Sequence, residues 1–339
     1  MPANLSPEYK SAEQEFRRAR EPAERLRCLR EMLRTIPKHK GTDHLQADIK
    51  SRIKQLSEEL AGPRKGGART GPATVVHPEG AAQLALVGPP NAGKSALHAR
   101  LTGSHAQFAA NPFTTQLPQP GMLPFEDVLF QLVDLPAVSS EHPVPWLGNS
   151  LQQADACLLV LDLGDPACLD QVEDLSRVLR AKRVYLSARW PGRDGGKSPG
   201  APDDPFAATL PTLLLANKAD RLADIDAELA VFRELSGCDY PALAVSAETG
   251  QGLAELGAWL FRGLEVVRVY TKLPGRPPEQ EHPFTLRRGE RVEDVARLIH
   301  RDLAATMTYA RRWPRGGGPV SQVGREHPVE DGDLLEFHQ

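Results

Sequence analysis

Residues 84–95 constrain the fold of this chain more than any other stretch. They read Leu-Ala-Leu-Val-Gly-Pro-Pro-Asn-Ala-Gly-Lys-Ser, an apolar run that ends in Gly-x-x-x-x-Gly-Lys-Ser. This order predicts a buried strand, then a tight loop, then the start of a helix. A chance glycine-rich turn would not need an apolar strand in front of it. The stretch therefore predicts a phosphate-binding loop and an α/β domain built around it.

Each residue type in this loop suits contact with a polyphosphate. Glycines let the backbone approach closely, so that N–H groups and the positive end of the helix dipole face the phosphates. Lys94 can reach the β- and γ-phosphates, and the Ser95 hydroxyl can bind Mg²⁺. The predicted nucleotide-binding residues of the loop are Gly88, Pro89, Asn91, Ala92, Gly93, Lys94 and Ser95.

Apolar strands alternate with amphipathic helices from residue 81 to 264, which predicts a doubly wound α/β sheet of the P-loop NTPase class. The predicted strands are 83–87, 127–133, 156–163, 211–216 and 242–245, and the predicted helices include 169–181, 223–235 and 252–262. The strands over 127–133 and 156–163 end at acidic residues, at the edge where such sheets bind ligands. Residues 188–209 are rich in Pro and Gly, and they predict a flexible surface insertion, with a functional lid as the alternative.

The motif Asn217-Lys218-Ala219-Asp220 follows a predicted strand and distinguishes among nucleotides. The Asp220 carboxylate can accept hydrogen bonds from N1–H and the 2-amino group of guanine, which adenine does not offer. Because an unpaired buried acceptor costs about 1–3 kcal/mol, this residue favours GTP over ATP. Ser246-Ala247-Glu248, after the last predicted strand, is expected to support the base through backbone contacts.

The regions on either side of this domain differ from it in pattern. Residues 1–62 predict a basic helical hairpin, with Pro22 breaking or restarting its first helix, and residues 63–80 predict a linker. Residues 265–339 predict a small α+β domain in which short strands surround one helix over 292–303.

The charge is distributed unevenly along the chain. Residues 1–70 contain 16 Lys and Arg against 10 Asp and Glu, whereas the whole chain has a net charge of -3. A basic arm on an acidic body favours an anionic partner such as RNA, but a solvated helical surface explains the same charges equally well. A second basic cluster lies around Trp313 and consists of Arg311, Arg312 and Arg315. It has two interpretations as well: RNA binding by charge and stacking, or a packed Trp beside solvated arginines.

The cysteines and the apolar runs of the chain indicate its cellular location. The four cysteines are scattered without a C-x-x-C pair, which argues against a zinc site or a disulfide framework. The N-terminus lacks the apolar core of a signal peptide, and no apolar run reaches the roughly 20 residues that span a bilayer. We therefore expect a cytoplasmic protein without a membrane partner and without DNA specificity.

Taken together, these motifs resemble the translation-factor class of small GTPases, and within it the Obg/DRG group. Residues 111–118, Asn-Pro-Phe-Thr-Thr-Gln-Leu-Pro, are similar to the switch I signature of that group. Residues 35–45 are similar to the basic turn between the N-terminal helices of DRG proteins. Residues 269–275, 299–303 and 322–324 resemble a TGS domain, which has a ubiquitin-like β-grasp fold.

The resemblance implies roles for residues at matched positions. Thr115 would bind Mg²⁺ and sense the γ-phosphate, and Asp134 would hold Mg²⁺ through water from the switch II motif. Lys94, Thr115 and Asp134 are thus the predicted catalytic residues, and Ser95, Thr115 and Asp134 the predicted Mg²⁺ ligands. Asn91 resembles a loop residue of potassium-stimulated members, which implies a K⁺ ion near the phosphates.

Two positions depart from the family pattern. The switch II motif Asp-x-x-Gly reads Asp-Leu-Pro-Ala here, with Ala137 in place of glycine, and Val138 stands where Ras-like enzymes carry a water-orienting Gln. The sequence therefore predicts a slow Mg²⁺-dependent GTPase, binding GTP and GDP, that acts as a switch on the ribosome or another RNA complex. The expected RNA contacts are the basic hairpin and the TGS domain, and a regulatory protein is a further expected partner. The alternative is a GTP-binding regulatory scaffold with little intrinsic hydrolysis.

Overall fold

The computed structural model of the 339-residue chain describes residues 6–19, 22–37, 42–60, 76–103, 117–192, 204, 206–276, 279–315 and 317–339. The chain forms two compact units, Met1–Pro72 with Asp203–Phe206, and Ala73–Pro202 with Ala207–Gln339. Within the described residues, no helix is long and apolar enough to cross a bilayer.

The smaller unit contains three helices, where the sequence pattern predicts a two-helix hairpin. They are α1 (Pro7–Arg18), α2 (Pro22–Thr35) and α3 (Asp43–Leu60). Ser6 caps α1 by accepting a hydrogen bond from the Tyr9 backbone N–H at 3.1 Å, and Pro22 begins α2, because proline suits the first turn of a helix. The helices bury apolar residues that recur every three or four positions, among them Tyr9, Phe16, Leu29, Met32 and Ile49.

The larger unit begins with a seven-stranded sheet. Its strands are β1 (Gln83–Val87), β2 (Gln119–Phe125), β3 (Val128–Asp134), β4 (Ala156–Asp162), β5 (Val184–Ser187), β6 (Ala208–Asn217) and β7 (Ala242–Ala244). The strand order is β2-β3-β1-β4-β6, and β5 and β7 both pair with β6. β2 runs antiparallel to β3, and the other pairs are parallel. The helices are α4 (Lys94–Thr102), α5 (Leu147–Leu151), α6 (Cys168–Ala181), α7 (Ile225–Ser236) and α8 (Ala254–Gly263).

The central strand β1 is buried on both faces, which confirms the predicted α/β sheet. Leu84 and Leu86 pack in one core with α4 and α8, and Ala85 and Val87 pack in a second core with α6 and α7. A parallel sheet covered on both sides in this way reads as a continuous apolar run rather than as an alternating one. The loop between β1 and α4 therefore lies at an edge of the sheet, between the two helix layers.

The predicted insertion 188–209 overlaps regular structure at both of its ends. β6 begins at Ala208, and the Trp190 side chain is buried and donates a hydrogen bond to the Thr212 carbonyl at 3.1 Å. Near its end, Phe206 is buried in the core of the three-helix unit, where it contacts Phe16 and lies under Arg52. The prediction of a flexible surface segment is therefore wrong at these positions, and residues 193–203 and 205 lie outside the described residues.

A five-stranded sheet follows, in the order β11-β10-β12-β8-β9. Its strands are β8 (Val266–Thr271), β9 (Glu279–Arg287), β10 (Tyr309–Trp313), β11 (Ser321–Val323) and β12 (Asp333–His338). The helix predicted over 292–303 is two helices, α9 (Val292–Ile299) and α10 (Arg301–Thr306), because His300 is extended, with φ -165° and ψ 141°. Val292, Val295 and Ala296 of α9 pack on the apolar side of this sheet.

The buried guanidinium of Arg268 in β8 joins the two sheets. It donates to Asp331 at 2.8 and 2.9 Å and to Asp127 at 3.0 Å, and it also contacts Glu126. Glu126 and Asp127 form the turn between β2 and β3, so this ion-pair cluster fixes the end of that hairpin against the second sheet. The Tyr270 hydroxyl donates to Asp127 as well.

Candidate nucleotide-binding site

The loop between β1 and α4 has no room for side chains at its two glycines. A Cβ at Gly88 would lie 2.3 Å from the Val160 carbonyl oxygen of β4. Gly93 has a φ of +89°, and a Cβ there would lie 2.3 Å from the amide nitrogen of Asn217. The loop therefore lies directly against β4 and the end of β6. Both positions require glycine because a Cβ would clash with these strands, and Gly93 requires it also because of its positive φ.

Lys94 is held under this loop at the first position of α4. Its ammonium donates to the carbonyl oxygens of Gly88 at 3.1 Å and Pro89 at 2.9 Å. An ammonium has three N–H donors, so one is left for an anionic ligand. Burial lowers the pKa of Lys94 to about 8, although the nearby carboxylate of Asp134 partly offsets this effect.

Ser95 and Asp134 form an oxygen pair beside Lys94. The Ser95 hydroxyl donates to the Asp134 carboxylate at 2.6 Å, which brings the first turn of α4 to the end of β3. Hydroxyl and carboxylate oxygens are the hard ligands that Mg²⁺ prefers, and this cation keeps several waters and binds through few protein groups. The donor set therefore fits Mg²⁺ bound together with phosphate oxygens.

Asn217 connects three segments of the site. Its amide nitrogen donates to the Ala92 carbonyl of the phosphate loop at 2.8 Å, and its amide oxygen accepts from the Ala247 N–H at 3.1 Å. The side chain is 1% exposed. One buried amide thus fixes the distance between the loop after β1, the end of β6 and the segment after β7.

The residues after Asn217 turn away from the sheet. Lys218 has a φ of +60°, in the left-handed region, and the Ala219 N–H donates to the Val245 carbonyl at 3.0 Å. Asp220 follows in a short 3₁₀ turn and is exposed. Its carboxylate is therefore accessible to a ligand, next to the segment that Asn217 holds in place.

The segment after β7 is a compact turn. Ser246 is fully buried, and its hydroxyl accepts the Thr249 N–H at 3.1 Å. Ala247 is bonded to Asn217, whereas the exposed Glu248 forms an ion pair with Arg221 at 3.2 Å. The backbone of Ser246 and Ala247 is thereby fixed beside the Asp220 turn, with Glu248 on its outer side.

The predicted switch residues differ in what the structure describes. Thr115, with the whole of residues 104–116, lies outside the described residues. Ala137 is buried and its φ is not positive, so alanine is unstrained in this conformation. The N–H of the buried Val138 donates to the Gly88 carbonyl at 3.1 Å, which attaches the segment after Asp134 to the phosphate loop.

One charged residue of the site was missed by the sequence reasoning. Asp162, the last residue of β4, forms an ion pair with Lys218 at 2.7 Å. Its signal was the acidic residue at the end of an apolar strand, but no motif spacing connected it with Lys218.

The basic cluster expected around Trp313 is divided between the two faces of the second sheet. Arg311 is half exposed, but Arg312 is mostly buried and pairs with Asp333 at 2.7 Å, and Arg315 pairs with Asp331 at 3.2 Å. Within β10, Arg311 shares a face with Trp313 and Arg312 lies on the other face, because side chains alternate along a strand. On that face Lys272 lies 4.1 Å from the centroid of the Trp313 ring.

Comparison with known proteins identifies two families along the chain. Residues 83–188 match the family described as "50S ribosome-binding GTPase", and residues 267–339 match the TGS domain. Developmentally-regulated G-protein 2 of Arabidopsis thaliana is 28% identical over 91% of this chain and 88% of its own length. An uncharacterized GTP-binding protein of Methanocaldococcus jannaschii, MJ1326, is 27% identical over 92% of this chain and 91% of its own.

A solved structure shares the fold. The YchF GTPase of Schizosaccharomyces pombe has a TM-score of 0.50 at 14% identity, covering 77% of this chain and 98% of that one. The chain therefore contains a P-loop GTPase domain followed by a C-terminal TGS domain, its relatives are GTP-binding proteins of the DRG type, and the YchF GTPase shares its fold.

Proposed function

We propose that this protein hydrolyses GTP to GDP and phosphate as a Mg²⁺-dependent molecular switch. The observation that carries the proposal is the 2.6 Å contact between Ser95 and Asp134, which sets two oxygen ligands beside the phosphate loop. When bound there, Mg²⁺ would neutralise charge on the phosphate oxygens. Thr115 is the further proposed ligand, and it completes the set with Ser95 and Asp134.

The protein's own groups would stabilise the charge that develops during phosphoryl transfer. The ammonium of Lys94 and the backbone N–H groups at the start of α4 are aimed at the loop, and their fixed positions require little reorganisation. A loose transition state spreads charge over the phosphoryl oxygens, so positioned donors of this kind supply most of the rate enhancement. Lys94, Thr115 and Asp134 are the residues proposed to carry catalysis.

We propose that Asp220 selects guanine. Its exposed carboxylate follows the fixed Asn217, and the turn containing Ser246 and Ala247 lies beside it. Gly88, Pro89, Asn91, Ala92 and Gly93 would contact the phosphates through the loop, and Lys218 and Glu248 would border the base. The nucleotide would thus span the sheet edge from β1 to β7.

Asn91 is proposed to recruit K⁺ near the phosphates. It is exposed and has a φ of +60°, so its carboxamide stands at the outer side of the loop. A carboxamide oxygen is a suitable cation ligand, and a monovalent charge there would assist the same transition state.

A second candidate function is a GTP-binding scaffold with little hydrolysis. The observation that favours it is the buried position of Val138, whose apolar side chain cannot orient an attacking water. Hydrolysis without an activator would then be slow, because a group other than the Val138 side chain has to position the attacking water.

Single-turnover hydrolysis of γ-labelled GTP separates these two functions. We expect stoichiometric phosphate release with Mg²⁺ and KCl, a slower rate in NaCl, and none with EDTA. Asp134→Asn should abolish release while the protein still binds GDP. If bound GTP dissociates intact under all conditions, including with ribosomes present, the scaffold is the correct function.

The proposed partner is the ribosome or another RNA complex in the cytoplasm. The basic N-terminal unit supports this proposal, although Arg27 and Arg34 pair with Glu15 and Glu31 at 3.9 and 2.5 Å. Its most basic stretch, residues 38–41, lies outside the described residues, and in the TGS sheet Arg311 is half exposed and lies 3.7 Å from Glu336. Co-sedimentation with ribosomes in GTP, GDP and no nucleotide tests the proposal. A regulatory protein, the other proposed partner, would bind in one nucleotide state without RNA.

A further inference from the structure

Asp162 occupies a central position at the ligand edge of the first sheet. It is the last residue of β4, which lies between β1 and β6, and it is aligned with Asn217 of β6. The phosphate loop follows β1, and the proposed base-selecting turn follows β6. A nucleotide that joins these two places must therefore cross the end of β4.

The Asp162 carboxylate is held by contacts at both oxygens. One oxygen accepts the Gly164 N–H at 3.0 Å, a local bond that fixes the orientation of the side chain. The other accepts from the Lys218 ammonium at 2.7 Å. The two side chains are only 21% and 26% exposed.

This ion pair determines the course of the Lys218 side chain. The backbone before Lys218 is fixed through Asn217, and the backbone after it is fixed by the bond from Ala219 to Val245. From that fixed backbone the stem runs from the end of β6 to the end of β4, because its ammonium is bonded there. Its methylene groups thus cross the ligand edge of the sheet between the ends of β6 and β4.

We propose that Asp162 is a positioning residue for nucleotide binding, acting through Lys218. By holding the ammonium at the end of β4, it keeps the apolar stem of Lys218 extended as a surface for the base and ribose. A free lysine side chain would lose rotamer freedom on being ordered by the ligand, and the ion pair incurs that cost before the ligand binds. The proposal rests on the guanine site described above.

The test compares two isosteric changes in the same loop. Asp162→Asn keeps an acceptor for Gly164 but removes the charge that holds Lys218. Asp165→Asn is the matched control, because the Asp165 carboxylate bonds Ala167 and Gln171 among the described side-chain contacts and does not bond Lys218. Fluorescence titration with GDP should give a dissociation constant about tenfold higher for Asp162→Asn, equivalent to about 1.4 kcal/mol, and an unchanged one for the control.

A double-mutant cycle with Lys218→Met distinguishes positioning from a general structural effect. Methionine keeps an apolar stem without the ammonium, so Asp162→Asn should have no further effect on GDP binding in that background. Asp162→Glu, which keeps the charge, should recover most of the affinity of the wild type. A tenfold effect that persists beside Lys218→Met, or a loss as large in Asp162→Glu as in Asp162→Asn, would overturn the proposal.

The same titrations reveal which inference fails. If the wild type binds GDP far more tightly than ADP but Asp162→Asn binds GDP equally well, the positioning role is wrong and the guanine site stands. If the wild type does not prefer GDP to ADP, the guanine site is wrong, and the role of Asp162 falls with it. Thermal melting of each variant detects loss of the fold.

Discussion

Gly93 shows how one residue can fix two parts of the site at once. Its φ of +89° favours glycine, and a Cβ would meet the Asn217 amide at 2.3 Å. That amide is the group that connects the phosphate loop with the segment after β7. A side chain at Gly93 would therefore disturb both the loop and the proposed base-selecting turn.

We predict that Gly93→Ala reduces GDP affinity at least a hundredfold. The matched control is Gly103→Ala at the end of α4, which also has a left-handed φ, +70°, but no atom of the described residues within 4 Å of its Cβ. The control should lose about 1 kcal/mol of stability and keep its affinity. Equal losses of affinity in the two variants would show that backbone strain, rather than the clash with Asn217, is responsible.

At this scale the sequence predicts which residues approach one another, but not all the bonds between them. The spacing of Lys94, Ser95 and Asp220 follows from motifs whose chemistry is local. The connection made by Asn217 spans 125 residues of sequence, so no local pattern indicates it. The sequence also did not predict that Ala137 lacks a positive φ, because φ depends on the packing around the segment.

The hairpin of β2 and β3 contacts both the candidate nucleotide site and the TGS domain. β3 ends at Asp134, and the turn at its opposite end bonds to Arg268. Sequence patterns predicted β3 but missed β2, which reads Gln-Pro-Gly-Met-Leu-Pro-Phe. Prolines argue against a strand in general, yet an edge strand tolerates them because one side needs no hydrogen-bond partner.

We predict that Arg268→Met lowers the free energy of unfolding by about 2 kcal/mol. Removing one partner of a fully buried ion pair costs about 3–5 kcal/mol, but Asp127 and Asp331 here keep 26% and 31% exposure and can be partly hydrated. Arg288→Met is the control, since Arg288 is 75% exposed, and its effect should stay within about 0.5 kcal/mol. Urea unfolding measures both, and equal effects would refute the importance of the cluster.

The same cluster predicts how stability depends on pH. Burial raises the pKa of Asp127 and Asp331, but hydrogen bonds outweigh burial and hold both pKa values below the usual range. Tyr270 and Arg268 donate to Asp127, and Arg268 donates to Asp331. A carboxyl group with a lowered folded-state pKa stabilises the fold above its unfolded pKa, and this stability is lost as the pH falls through the folded value. The difference in unfolding free energy between wild type and Arg268→Met should therefore shrink from pH 6 to pH 3. A difference independent of pH would contradict this account.

Across the whole molecule, a short segment before β6 completes the core of the N-terminal unit. Phe206 is 3% exposed among the helices α1 to α3, although it lies 146 positions beyond Leu60, the end of α3. Composition alone assigned residues 188–209 to a loop, because Pro and Gly are frequent there. Burial of the single aromatic residues Trp190 and Phe206 depends on tertiary contacts that composition does not report.

We predict that Phe206→Ala destabilises the three-helix unit by about 3–5 kcal/mol, the range for truncating a buried phenylalanine. Amide hydrogen exchange should then accelerate in α1 to α3 and stay unchanged in β1 and β4. Leu235→Ala, at a side chain that is 65% exposed, is the control and should leave all of these helices protected. Unchanged protection in the Phe206 variant would mean that this segment does not stabilise the unit.

We propose that a guanine nucleotide binds across the ends of β1, β4 and β6 with Asp220 contacting the base. Competition between GDP and xanthosine diphosphate for the wild type and Asp220→Asn tests it most directly. The wild type should prefer GDP, and Asp220→Asn should prefer xanthosine diphosphate, because the amide donates where the carboxylate accepts. If Asp220→Asn keeps the wild-type preference for GDP, the base is bound elsewhere and the account is wrong.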